Sequence, residues 1–297
     1  MQLWVSSGQP SGAWITLPGG SLEVDPSSNI DRIGSSEWIS YDRAFNRWIL
    51  ASWNHVSPDG RRSVVQGENG SFNIVDVATG AYRNVSVPQA HGQWIVLDYT
   101  TGGIYLTLMA ALDYADPGLW LLNPDSGQVR KLDGTQFWSH VDSRAAWGVK
   151  SGSGSLELRR LDLQSGTLTT YLTVPLHTAL QPGDRSMELI SLDSNGRPLV
   201  LLRDWQAPFP WRMEVVDAPN VAHAIAIPDQ WVAGWPIVDN GDPFQSWREI
   251  HGVLLSSGIW MFGWHSFSGL AVLGPDGVLR QVSTAPDNIA AIAGGCH

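Results

Sequence analysis

One cysteine, Cys296, stands in 297 residues. That excludes an intrachain disulfide and any cysteine-built metal centre, and leaves the redox compartment open. Basic residues are also scarce: Lys and Arg total 18 against 28 Asp and Glu, a formal charge of −10. Without a basic stripe, the phosphate contacts of nucleic-acid binding have no source. Nor is there a polybasic patch for a membrane surface. No apolar run approaches the eighteen or so residues of a membrane span. The opening Met1-Gln-Leu-Trp-Val5 lacks a charged segment followed by an apolar one, so no signal peptide is visible. If the protein is exported, its signal would lie outside this chain. The specific catalytic spacings are missing as well: no GxSxG, HExxH, CxxC pair, P-loop or GxGxxG occurs. A site assembled from several distant loops would leave no such local trace. No cofactor and no metal are expected.

What the chain has instead is turn formers and tryptophan. Its 31 glycines and 18 prolines are spread evenly, and 16 tryptophans punctuate an otherwise weakly charged sequence. No composition break or charge run divides it, so one domain over 1–297 is expected, large enough to bury an ample core.

The stretch Tyr41–Pro88 sets the pattern. Short extended segments (Trp48–Trp53, Arg62–Gln66, Phe72–Val77, Tyr82–Val87) are separated by the turn signal Ser57-Pro-Asp-Gly60, a Gly/Asn loop and Ala78-Thr-Gly80. Four antiparallel strands of this size cannot bury a face alone and need copies on both sides. Degraded copies follow. The turn Asp76-Val-Ala-Thr-Gly80 recurs as Asn123-Pro-Asp-Ser-Gly127, Asp162-Leu-Gln-Ser-Gly166, Asp217-Ala-Pro-Asn220 and Gly274-Pro-Asp-Gly277. The intervals are close to the period of propeller blades, roughly 40–50 residues. A second marker runs in the same phase: Asp59-Gly60, Asp98–Gly102, Asp142-Ser143 and Asp193–Gly196. The pattern predicts an all-β chain, a β-propeller.

The residues Ser57-Pro-Asp-Gly-Arg-Arg-Ser-Val-Val65 and Asn73-Ile-Val-Asp-Val-Ala-Thr-Gly80 resemble the SPDG…VVDxxTG blade signature of the TolB-like, WD-repeat-like propellers. The lead-in Ser40-Tyr-Asp-Arg43 and the closing Ile292-Ala-Gly-Gly-Cys296 resemble bacterial extracytoplasmic propeller proteins. The resemblance is clear over one blade and faint over the rest. It implies a fold and an extracytoplasmic, secreted or cell-surface location, and carries no function, since many activities share this architecture.

Six four-stranded blades are expected, five internal and one built from both ends. In that last blade Ile289–Ala293 would pair with the N-terminal strands Leu3–Ser7 and Trp14–Leu17 and close the ring. Seven is the other count, because residues 229–250 are long enough to hold extra strands. Asp59, Asp98, Asp142 and Asp193 all fall where a blade's first strand turns into its second. They read as turn residues bonding their own backbone rather than as an acidic ring. Asp193-Ser-Asn-Gly196 has no Glu at the twelfth position of a calcium loop.

The loops between second and third strands share one face with the blade-to-blade segments. Three of them are long and aromatic: Met109–Pro117 with Tyr114 between Asp113 and Asp116, Asp204–Trp211 with Trp205, Phe209 and Trp211, and Gly263–Ser268 with Trp264, His265 and Phe267. His177 lies in a blade-to-blade segment of the same face. Strand tryptophans such as Trp4, Trp48, Trp94, Trp120, Trp147 and Trp260 belong to blade packing. Loop tryptophans beside proline either plug the rim or form platforms on which sugars, peptides or proteins stack. The ligand-binding candidates are therefore Asp113, Tyr114, Asp116, His177, Trp205, Phe209, Trp211, Trp264 and His265. The expected function is non-catalytic engagement of a protein, peptide or glycan, with no nucleic-acid partner and no membrane insertion. The alternative is a hydrolase or lyase acting on glycans or peptides, with Asp113, Asp116, His177 and His265 around the channel mouth.

Overall fold

The structure, a computed structural model, describes residues 2–5, 11–16, 21–24, 40–42, 47–49, 51–67, 70–87, 93–109, 117–152, 154–176, 185–204, 211–227, 250–255, 258–263, 270–283 and 289–292. Among them there are strands, turns and the 3-10 turn Trp53–His55, with no α-helix. No helix is long and apolar enough to cross a membrane among the described residues.

Five antiparallel sheets have four strands each. The first joins the two ends of the chain: β25 (Ile289–Ile292) pairs with β1 (Gln2–Val5), followed by β2 (Ser11–Thr16) and β3 (Ser21–Val24). The C-terminal strand thus joins a sheet of three N-terminal strands, one more than the sequence suggested. Next comes a two-stranded hairpin, β4 (Ser40–Asp42) with β5 (Arg47–Ile49), and a three-stranded sheet of β6 (Arg62–Gln66), β7 (Phe72–Asp76) and β8 (Tyr82–Val85). Four complete sheets follow. They are β9 (Gln93–Thr100), β10 (Gly103–Met109), β11 (Leu119–Leu122) and β12 (Val129–Asp133); then β13 (His140–Val141), β14 (Ala145–Ser151), β15 (Ser155–Asp162) and β16 (Leu168–Pro175). After these come β17 (Arg185–Leu192), β18 (Pro198–Asp204), β19 (Trp211–Ala218) and β20 (Val221–Ala224), then β21 (Ile250–Leu255), β22 (Gly258–Gly263), β23 (Leu270–Leu273) and β24 (Leu279–Ser283).

Trp48–Trp53 is not one strand. Arg47–Ile49 pairs with Ser40–Asp42, and Trp48 meets Tyr41 edge-on with ring centroids 5.1 Å apart. Its indole also covers Gly12 of β2. The segment lying inside β6 is instead the 3-10 turn Trp53–His55 and Val56, which bridges to Ser63.

The repeating turns have a common physical cause. Gly80, Gly127, Gly166 and Gly277 have φ of 72°, 77°, 70° and 73°, and Asn220 reaches 58°. This left-handed region admits glycine freely and asparagine more readily than other residues. In three of these turns the first residue closes the hairpin from its side chain. Asp76 Oδ1 accepts from the Thr79 amide, Asn123 Oδ1 from the Asp125 and Ser126 amides, and Asp162 Oδ1 from the Gln164 and Ser165 amides.

The cores lie between successive sheets. One cluster joins Val64, Phe72 and Ile74 of the β6–β8 sheet to Trp94, Val96, Ile104 and Trp120 of the next. Another joins Tyr105 and Leu119 to Trp138, Ala146 and Leu161. A third joins Trp147 and Leu158 to Leu189 and Val200, and a fourth joins Leu199 and Met213 to Ile259 and Ala271. Neighbouring sheets touch in the same succession: the 3-10 turn on β9, β9 on β13, β14 on β17, β17 on β21, with β25 against β22. The sheets stack face on face in chain order, as propeller blades do.

Candidate functional site

The four aspartates of the second marker separate into two kinds. Asp59 Oδ1 accepts from Ser57 Oγ and the Arg61 amide, Asp142 Oδ1 from the Arg144 and Ala145 amides, and Asp193 Oδ1 from the Asn195 and Arg197 amides. These three are turn residues. The hydrogen bond from Ser57, ahead of that from the Arg61 amide, holds the Asp59 carboxyl below its usual range.

Asp98 is different, and the reading of it as a turn residue is corrected. β9 runs on through Thr100, and the turn falls at Thr100–Gly103. The ladder slips by one residue between Tyr105 and Leu106, which oppose Asp98 and Val96 respectively. An extra residue in β9 therefore holds Asp98 inside the strand. Burial raises its carboxyl to about 7; the Tyr99 amide bond opposes the rise and the charge of Asp142 adds to it. Asp142 Oδ2 in turn lies 3.9 Å from where a Cβ on Gly196 would sit, so the first turns of neighbouring sheets converge.

An open groove of about 510 Å³ lies between the β6–β8 sheet and the Asn123–Gly127 turn, lined by Ile74, Tyr82, Arg83, Pro124, Asp125 and Arg62 among others. Arg62 Nη1 donates to Asp125 Oδ1 at 2.6 Å, and Arg83 donates to the carbonyls of Asp125 and Pro124. Both cations are spent on gripping the neighbouring turn. Tyr82 stands 69% exposed beside them.

Two histidines sit inside the stack. His55 shares hydrogen bonds with the carbonyls of Val64 and Val96, and His140 with that of Ile190. Each residue keeps some accessible surface as a whole, yet the rings are enclosed, and His140 Nδ1 has neither exposure nor partner. Burial pulls both imidazoles down to about 4, against the carbonyl bonds that favour the charged form. Gln136, 4% exposed, has no partner at either end of its amide. No group of three or more His, Cys, Asp or Glu stands ready to hold a metal ion among the described residues.

The sequence-based candidates Asp113, Tyr114, Asp116, His177, Trp205, Phe209, Trp264 and His265 lie outside the described residues, as does Phe267. Trp211 is described only as the first residue of β19, where its backbone pairs with Arg203. The strand ends that bear these loops are described. Within each sheet the β10–β11, β18–β19 and β22–β23 connections leave from the edge opposite the turns above. Local motif reading missed His55, His140 and the buried state of Asp98. A signal for the first two was present: Trp53-Asn-His-Val56 and Trp138-Ser-His-Val141 repeat one pattern.

No protein-family model matches the sequence, and no curated protein matches it either. Solved structures do resemble the fold. An acylaminoacyl peptidase from Pyrococcus horikoshii aligns with a TM-score of 0.50 and 12% identity over 95% of this chain and 46% of that one. TolB from Acinetobacter baumannii aligns with a TM-score of 0.47 and 11% identity over 99% of this chain and 66% of that one. A protein from Lactobacillus plantarum aligns with a TM-score of 0.45 and 14% identity over 96% and 85%. The chain thus spans about half the length of the peptidase, and at such identity the likeness shows the fold alone.

Proposed function

We propose that the chain is a single six-bladed β-propeller over 1–297 acting as a non-catalytic binding module. Five four-stranded sheets supply five blades, and the β6–β8 sheet is completed to a sixth by Trp53–Val56. The sheet shared by β25 and β1 closes the ring.

The observation that carries the binding reading is the way the turn side uses its polar groups. Asp59, Asp142 and Asp193 bond their own turns, and Arg62 and Arg83 grip the next one. That side is committed to holding the fold. The opposite strand ends carry the long loops with Tyr114, Trp205, Phe209, Trp264 and His265, with Trp211 opening β19 beside them, and aromatic loops suit stacking on sugars, peptides or protein surfaces. At a net charge of −10 the partner is neutral or cationic, by charge complementarity. The module works outside the cytoplasm, in keeping with the TolB-like blade signature. The test is a glycan array and a peptide array probed with the wild type and with Trp205→Ala and Trp264→Ala. The reading expects a defined set of wild-type hits that both variants lose; hits retained at full strength by both would overturn it.

A further inference from the structure

The pattern Trp-x-His-Val occurs twice, at Trp53–Val56 and at Trp138–Val141, and the two copies do the same thing in space. Each lies in the innermost segment of its sheet. Each projects its imidazole across the seam to a main-chain carbonyl in the first strand of the following sheet: His55 to Val96 of β9, His140 to Ile190 of β17. Polar partners and close packing surround both carbonyls. Asn54 Nδ2 donates to the Leu97 carbonyl at 3.1 Å beside His55, and from the far side of β17 a Cβ on Gly252 of β21 would sit 3.1 Å from the Ile190 oxygen that His140 engages. There is little room for an imidazolium's hydration shell, so a charged ring would have to leave.

We propose that His55 and His140 are acid-sensitive latches, each neutral ring holding one seam between neighbouring sheets and each releasing it when protonated. The charged groups around them do not supply the control. On the elements packed against His55 these are Asp98 on β9 and Arg62 on β6. On those packed against His140 they are Asp98 on β9, Lys150 on β14, and Arg185 and Glu188 on β17, the last paired with Arg203. None contributes to the proton affinity of either imidazole, which burial sets.

The sign follows from linkage. Between about 4, the folded value of both rings, and 6.5, their ordinary value, the unfolded chain binds protons that the folded chain refuses, so stability falls as pH falls through that window. Asp98 opposes this: raised to about 7, it is protonated in the folded state first and offsets roughly one of the two protons. The test is the pH dependence of the denaturant midpoint between pH 7 and 5, for the wild type and for a variant carrying both His55→Gln and His140→Gln. Glutamine keeps a donor for the carbonyl and cannot titrate there. The wild type is expected to take up about one proton more on unfolding near pH 5.5. The variant is expected to invert that slope, its midpoint holding or rising on acidification; a variant slope equal to the wild type's overturns the proposal. Should the variant not fold, ring-proton NMR of the wild type decides. Two imidazoles that stay neutral down to pH 5 support the latches, and either ring titrating near its ordinary value sinks them.

Discussion

Arg62 and Asp125 lie 63 positions apart in the chain and meet at 2.6 Å, tying the start of β6 to the β11–β12 turn of the next sheet. The pair is largely solvent-exposed, so its worth is that of a surface ion pair, about 0–1 kcal/mol. Arg83 grips the same turn through the Asp125 and Pro124 carbonyls, which no side-chain substitution at 125 removes. Asp125→Ala should therefore cost no more than about 1 kcal/mol in urea unfolding. Arg83→Ala made together with it should cost more than the two single changes summed, because each grip covers for the other.

Trp94 and Trp120 stand on the first and third strands of one sheet, their rings 5.0 Å apart and nearly perpendicular, with Lys131 Nζ 4.9 Å from the Trp120 ring. Both face the core between the β6–β8 and β9–β12 sheets. Trp120→Ala should cost about 3–5 kcal/mol by denaturant unfolding. A loss below about 1 kcal/mol would mean that this seam does not carry a packed core.

Gly148 tests how closely the segment leading into β13 lies on β14. A Cβ there would fall 2.4 Å from the Phe137 carbonyl oxygen and 3.0 Å from Gln136 Nε2. Backbone cannot yield as a side-chain tip can, so Gly148→Ala should destabilise by about 1–3 kcal/mol. Gly80→Ala meets open space and loses only its left-handed backbone preference, about 1–2 kcal/mol. A thermal melt of each separates a clash from a turn effect.

Asp98 gives a pH signature of its own. Burial raises its carboxyl to about 7, so its protonated form suits the folded state and that advantage is lost as pH rises through 7. Asn mimics the protonated form. Asp98→Asn should be more stable than the wild type at pH 8, and the gap should narrow as pH falls to 5, closing only below the ordinary carboxyl value of 3.8. Chemical denaturation at both values checks this, and a variant less stable at pH 8 contradicts it.

The turns were legible because each depends on one residue's backbone freedom. Gly80, Gly127, Gly166, Asn220 and Gly277 mark left-handed positions that the sequence cannot disguise. Pairing of the two chain ends was legible from Ile289–Ala293, an apolar strand without a local partner. Asp98 was not, because a bulge of one residue moves a carboxylate from turn to strand without altering the pattern Asp-x-x-x-Gly. Trp48–Trp53 misled because a run of apolar residues does not say that its start pairs with Ser40–Asp42 while its end opens a 3-10 turn against β6. The repeated Trp-x-His-Val pattern marks the two histidines, but their burial depends on contacts between sheets some 40–50 residues apart, which the pattern alone does not reveal. The aromatic loops rest on composition and topology.

The central claim is that the loop side binds and the turn side holds the ring together. It is tested most directly by titrating the strongest array ligand into the wild type, Trp205→Ala, Trp264→Ala and Tyr82→Ala, the last removing the exposed ring of the turn-side groove. The account predicts at least about tenfold weaker binding, or about 1.4 kcal/mol, for the two loop variants and an unchanged dissociation constant for Tyr82→Ala. Loss of binding in Tyr82→Ala with both loop variants binding as the wild type would contradict it.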